Sequence, residues 1–165
     1  MQSDLPQEAY HLVSSIESKL GTAFSISDLL AYVSKERRKE IIVEELLIHA
    51  AYLGLCFSFT NCDLIIIAPR LSKRLYLITL LHELMHILRN EAKHYDKPYD
   101  RLMHDLVLSC NMMHRDADTF YEGLPEGIRT KEDIVESTAT LLFEYVWKHE
   151  ESIPAIVQRI YGYRE

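Results

Sequence analysis

His82-Glu83-Leu84-Met85-His86 sets two histidines four residues apart with a glutamate between them. On a helix, residues at that spacing share a face, with Cβ atoms about 5–6 Å apart. Two imidazoles so placed can converge on a zinc ion at about 2.0–2.1 Å. Glu83, one residue along, lies off the line of ligands and is placed to take a proton from a metal-held water. The chain's own histidine and glutamate frequencies give about 0.04 chance occurrences of the pattern. The three polar residues also interrupt an otherwise apolar run from Leu75 to Leu88. Burying them there is costly unless each finds a partner, and a metal with its water supplies all three. Zinc is the expected cofactor.

A catalytic zinc takes three protein ligands, so a third is required. Arg89 and Ala92 stand where one large class of such enzymes has Gly and His, which excludes that class. Glu136 is the expected third ligand. Residues three, seven and eleven ahead of it are Ala139, Phe143 and Trp147, an apolar helix face. A carboxylate aimed at a core needs a partner, and a buried ion pair, for example with Arg74, is the competing explanation. Glu132 and Asp133 are explained by a capping box beginning at Thr130. His94, His104 and His114 remain alternative third ligands, although their polar neighbours suit solvated histidines. Tyr121 and His114 are possible oxyanion donors, whereas Tyr145 lies half a turn out of phase with Glu136 and faces away.

The elements that must hold these residues read as follows. A first helix spans Pro6–Leu20, ended by Gly21. A second helical stretch runs from Ser27 to about Leu53, either continuous or broken near the charged cluster Lys35–Lys39. Leu55–Thr60 and Leu64–Ala68 form a β-hairpin around Asn61-Cys62-Asp63. If Leu64–Ala68 is an edge strand, a substrate chain can pair with it in extended form. A buried helix from Leu71–Arg74 to about Glu91 carries the two histidines. A short helix over Asp100–Met113, a loop over Asp116–Gly127, a helix from Thr130 to about Lys148 and a short helix from Pro154 complete the chain. The expected fold is α+β, a mostly helical single domain over residues 1–165. A small antiparallel sheet packs beside the histidine-bearing helix.

Composition agrees with that class. The 165 residues are 48% hydrophobic and 26% charged, with only 5 Gly and 5 Pro, which suits helices better than a turn-rich β fold. Net charge is −7 and no basic stripe is present, so direct nucleic-acid binding is not expected. The basic cluster Lys35-Glu36-Arg37-Arg38-Lys39 reads as a solvated stretch. Three cysteines without a CxxC give neither a disulfide framework nor a cysteine zinc knuckle. With no signal-peptide pattern and no apolar run near the ~20 residues of a membrane span, a soluble cytoplasmic protein is expected.

Leu64–Asn90, LIIIAPRLSKRLYLITLLHELMHILRN, followed by Glu136-Ser137-Thr138-Ala139, resembles the ImmA/IrrE-type metallopeptidases, compact relatives of the gluzincins. Thr79 and Leu80 match the family's usual residues before the first histidine. Ile78, Leu81 and Met85 stand where Phe, Ala and Gly are usual, and Leu77 where Arg is. The resemblance implies an HExxH helix after a small sheet, with zinc on His82, His86 and Glu136 and Glu83 as general base. It further implies hydrolysis of a regulatory protein, typically a DNA-binding repressor. The expected activity is therefore that of a zinc-dependent endopeptidase. The alternatives are a zinc-containing interaction protein that binds a regulator without cleaving it, and a helical protein with a purely structural polar network.

Overall fold

A computed structural model describes residues 5–47, 52–97, 101, 102, 104 and 126–148, with 126–129 as helical backbone alone. Helix α1, Gln7–Leu20, follows Pro6 and ends at Gly21, whose φ of 78° only glycine adopts without strain. It buries Ala9, Val13 and Ile16. Helix α2, Ile26–Arg37, opens with a reciprocal capping box: the Ser25 hydroxyl accepts from the Asp28 amide, and the Asp28 carboxylate accepts from the Ser25 amide.

The second helical stretch breaks here, within the charged cluster, and its latter half begins not as a helix but as a strand. Arg38 adopts a left-handed conformation (φ 55°), which turns the chain out of the helix. Glu40–Glu45 then form strand β1. The consecutive β-branched residues Ile41, Ile42 and Val43 suit a strand and gain a partner in β3. Strands β2, Gly54–Ser58, and β3, Cys62–Ile67, make the expected antiparallel hairpin, with Gly54 opposite Ile67 and Ser58 opposite Asp63.

The sheet as a whole is mixed rather than antiparallel, in the order β1-β3-β2-β4. β1 runs parallel to β3, and the two-residue β4, Lys93–His94, runs parallel to β2. β3 is therefore central, with Leu64–Ile67 fully buried. It is not the edge strand that the docking of a substrate chain would require.

Side chains alternate across the sheet. Ile65, Ile67 and Cys56 meet the helices in the main core, while Leu64, Ile66 and Phe57 form a second cluster with Leu102 on the other face. Helix α3, Lys73–Leu88, is capped by Ser72 and buries Tyr76, Leu77, Leu80, Leu81, Leu84, Met85 and Ile87. It packs against β2, β3 and helix α4, Glu126–Trp147. α4 presents Val135, Thr138, Ala139, Leu142 and Val146 to the interior. The fold is thus α+β, as the sequence indicated.

Two members of the basic cluster are not solvated. Arg37 donates to both carboxylate oxygens of the fully buried Asp63 (3.0 and 3.3 Å), to Ser58 and to Asn90. Lys39 donates to Ser58 and to the Phe59 carbonyl. This network ties α2, the hairpin and the end of α3 together. Lys35, Glu36 and Arg38 are exposed.

Of the remaining expected elements, Arg101, Leu102 and His104 are helical, and Glu126 and Gly127 belong to α4. The rest of Asp100–Met113, the loop before residue 126 and the helix after Pro154 lie outside the described residues. Among the described residues, no helix is long and apolar enough to cross a membrane.

Candidate metal centre

His82 and His86 lie one turn apart near the C-terminal end of α3, as their spacing predicts. Their Nε2 atoms are 3.2 Å apart. The third group beside them is Glu132, not Glu136. Glu132 Oε2 is 3.0 Å from His82 Nε2, and Glu132 Oε1 is 3.0 Å from His86 Nε2. Glu136 is exposed.

Glu132 rather than Glu136 lies beside the histidines because of the register of α4. That helix is already under way at Glu126, so Thr130 lies within it and does not cap it. Glu132 is therefore released from any capping role. The buried stripe is centred on Val135, Leu142 and Val146, and Ala139 and Phe143 lie towards its edge. At 100° per residue Glu136 falls roughly 40° further from the stripe than Glu132. That rotation takes it past Phe143, out to solvent. Arg74, considered as a partner for Glu136, lies over the rings of Phe143 and Trp147 instead.

The donor set fits a metal ion. One ligand atom from each of His82, His86 and Glu132 lies within 4.8 Å of the other two. A zinc tetrahedron with bonds of about 2.0–2.1 Å has edges of roughly 3.3 Å, close to the 3.0 and 3.2 Å separations found here. Two imidazoles and one carboxylate suit borderline divalent cations. The side chains of His82 and Glu132 are about a quarter exposed, so the group is reachable from solvent.

Burial alone would raise the Glu132 carboxyl, but hydrogen bonds and charge from His82 and His86 outweigh it and bring it down to about 2. Burial disfavours the charged form of His86. Glu132, with Glu83 and Glu91, more than offsets that and raises it.

Glu83, beside the two histidines, sits in the gap between α3 and β2 and is 8% exposed. Burial pushes its carboxyl above the usual range, against the opposing pull of His82 and His86. Gly54 makes room for it: a Cβ there would lie 2.9 Å from Glu83 Cγ and 3.0 Å from Glu83 Oε1. The Cys56 thiol hydrogen-bonds to the Glu83 carboxylate, and burial together with that carboxylate pushes the thiol up. A buried carboxyl with a raised pKa, next to a cluster of metal-type donors, is suited to general-base work.

The later histidines do not join the group. His94, on β4, and His104 are both exposed, and His114 lies outside the described residues, as does Tyr121. Tyr145 faces away, donating to Glu17 at 2.9 Å and stacking on Phe24. Gly54, Cys56 and Glu91 were not singled out as site residues from the sequence, and Glu132 was set aside there as part of a capping box. What could have found Glu132 is a helix already under way at Glu126, which leaves Glu132 no capping role. No protein-family model, no curated protein and no solved structure matches the chain.

Proposed function

We propose that the chain is a zinc-dependent endopeptidase in which His82, His86 and Glu132 hold the metal and Glu83 is the general base. The observation that carries this reading is the convergence of three donor atoms on one side of α3, with a buried carboxylate of the same helix beside them. The resemblance of Leu64–Asn90 to the ImmA/IrrE-type metallopeptidases supports it, with the glutamate of the later helix moved one turn back from Glu136. Zinc bound there would lower the pKa of its water to about 7 and polarise the scissile carbonyl.

The chain's own groups supply the rest. Glu83, held in place by the close approach of Gly54 and by the Cys56 thiol, takes the proton released as water attacks the carbonyl. It then returns that proton to the leaving amine. Burial raises its affinity for the proton, which favours that first transfer.

Substrate docking is assigned to β2. β4 pairs only with Phe57 and Ser58. Among the described residues, Gly54–Cys56 have no strand on that side. An extended substrate added there would run past Glu83. A regulatory protein substrate, typically a DNA-binding repressor, follows from the family resemblance alone. The unpaired Cys56 and Cys62 support a reducing, cytoplasmic setting.

The test is exposure of the zinc-loaded protein to a proteome-derived peptide library, with new termini read by mass spectrometry. Wild type should generate a consistent cleavage motif. Glu83→Gln should keep its zinc and generate none. Zinc binding without cleavage in the wild type would favour the non-cleaving interaction protein.

A further inference from the structure

We infer that Glu91 is a positioning residue for the metal centre: it holds the His86 ring from the side opposite the metal. The inference rests on the metal-binding reading above. His86 turns Nε2 towards Glu132 and His82, which leaves Nδ1 facing Glu91 Oε1 at 3.5 Å. Both side chains are only 12% exposed, so little water competes for the Nδ1–H that a neutral, metal-bound imidazole would offer to Glu91. A histidine that binds metal through one nitrogen characteristically gives its other N–H to a carboxylate, which fixes the tautomer and ring orientation.

The local sequence builds this arrangement. α3 ends in a tight turn in which Asn90 is left-handed (φ 58°) and the Glu91 amide donates back to the His86 carbonyl at 2.8 Å. That turn folds the Glu91 side chain back beside the histidine one turn earlier. Two further contacts lock it. Arg89 donates to Glu91 Oε1 at 3.0 Å and reaches Glu8 of α1 at 3.2 Å. Arg37, itself bound to the buried Asp63, donates to the Asn90 side chain at 2.9 Å. Arg89, which in the sequence only excluded one enzyme class, thus anchors the carboxylate behind a metal ligand.

The test is zinc affinity of the full-length chain by competition with a chromogenic chelator, alongside thermal melting of the zinc-free protein. Loss of such an outer carboxylate typically weakens metal binding about 10–100-fold. Glu91→Leu should show a loss of that size. Glu91→Gln, which keeps an acceptor but no charge, should fall between it and the wild type. Exposed Glu136→Gln should match the wild type. Loss of the Arg89 partner should also lower the zinc-free melting temperature of Glu91→Leu, so affinity is compared at a temperature where every zinc-free variant is folded. Zinc affinity within about twofold of wild type in Glu91→Leu would overturn the inference while leaving the metal site standing. No zinc binding by the wild type would overturn the reading on which it rests.

Discussion

Gly54→Ala offers a quantitative check on how α3 meets the sheet. The added methyl would lie 2.8 Å from Thr79 Cγ2, 2.9 Å from Glu83 Cγ and 3.0 Å from Glu83 Oε1. Ordinary carbon contacts begin near 3.4 Å, so β2, α3 or the Glu83 side chain must give by about 0.4–0.6 Å. Overpacking of this kind costs about 1–3 kcal/mol. Replacing a strand glycine returns roughly 0.5–1 kcal/mol of backbone entropy. The expected net loss is about 1–2 kcal/mol, a fall of roughly 2–8 °C in melting temperature for a chain of this size.

Activity should suffer more than stability. A 1 Å misplacement in an active site can cost on the order of 100-fold. A shift of about half that size predicts roughly tenfold slower peptide cleavage, with zinc content unchanged. Gly21→Ala is the matched control. Nothing lies within 4 Å of a Cβ there, but φ is 78°, so it should lower stability through backbone strain and leave cleavage alone. Differential scanning fluorimetry and the peptide assay read both effects. A Gly54→Ala protein that melts within about 1 °C of wild type and cleaves at the wild-type rate would refute this account of the Glu83 pocket.

Two further predictions concern charge. Asp63→Ala leaves Arg37 and Lys39 facing each other without their carboxylate, and loss of one partner of a buried pair costs about 3–5 kcal/mol. Urea denaturation should show that loss, with Asp63→Asn less severe. The zinc-free protein should also be more stable near pH 5.5 than near pH 8. His86 and Glu83 both have raised values. Their stabilisation is complete below their unfolded values of about 6.5 and 4.3 and is lost as pH rises through the folded ones. Glu132, lowered to about 2, works in the opposite direction. Its stabilisation is present above its unfolded value and is lost as pH falls towards 2. Added zinc should reverse the alkaline loss, because the metal requires neutral imidazoles. Chemical denaturation across pH, with and without zinc, checks all three signs.

The histidine pair, its helix and the hairpin were legible because their signals are local: an i, i+4 spacing, an unbroken apolar run, and two apolar strands around a short loop, which lies at Phe59–Asn61 rather than at Asn61-Cys62-Asp63. β1 was not, because Ile41-Ile42-Val43-Glu44-Glu45-Leu46-Leu47 satisfies both a helical stripe and a β-branched strand. The parallel partner offered by β3 decided between them, and that is a tertiary fact. Likewise Glu132 and Glu136 are one turn apart on one helix, and only the start of α4 distinguishes them. Arg37 and Lys39 look like surface charges until the Asp63 carboxylate is placed beneath them. Glu91 depends on a single left-handed residue, Asn90, which no periodicity announces.

Zinc per chain is the most direct test of the central claim. Wild type, Glu132→Ala and Glu136→Ala would be purified without chelator or metal-affinity tag and measured by elemental analysis. The account predicts about one zinc per chain in the wild type and in Glu136→Ala, as a single site requires, with a clear loss in Glu132→Ala. Zinc kept in Glu132→Ala but lost in Glu136→Ala, or no zinc in the wild type even after it is added back, would contradict it.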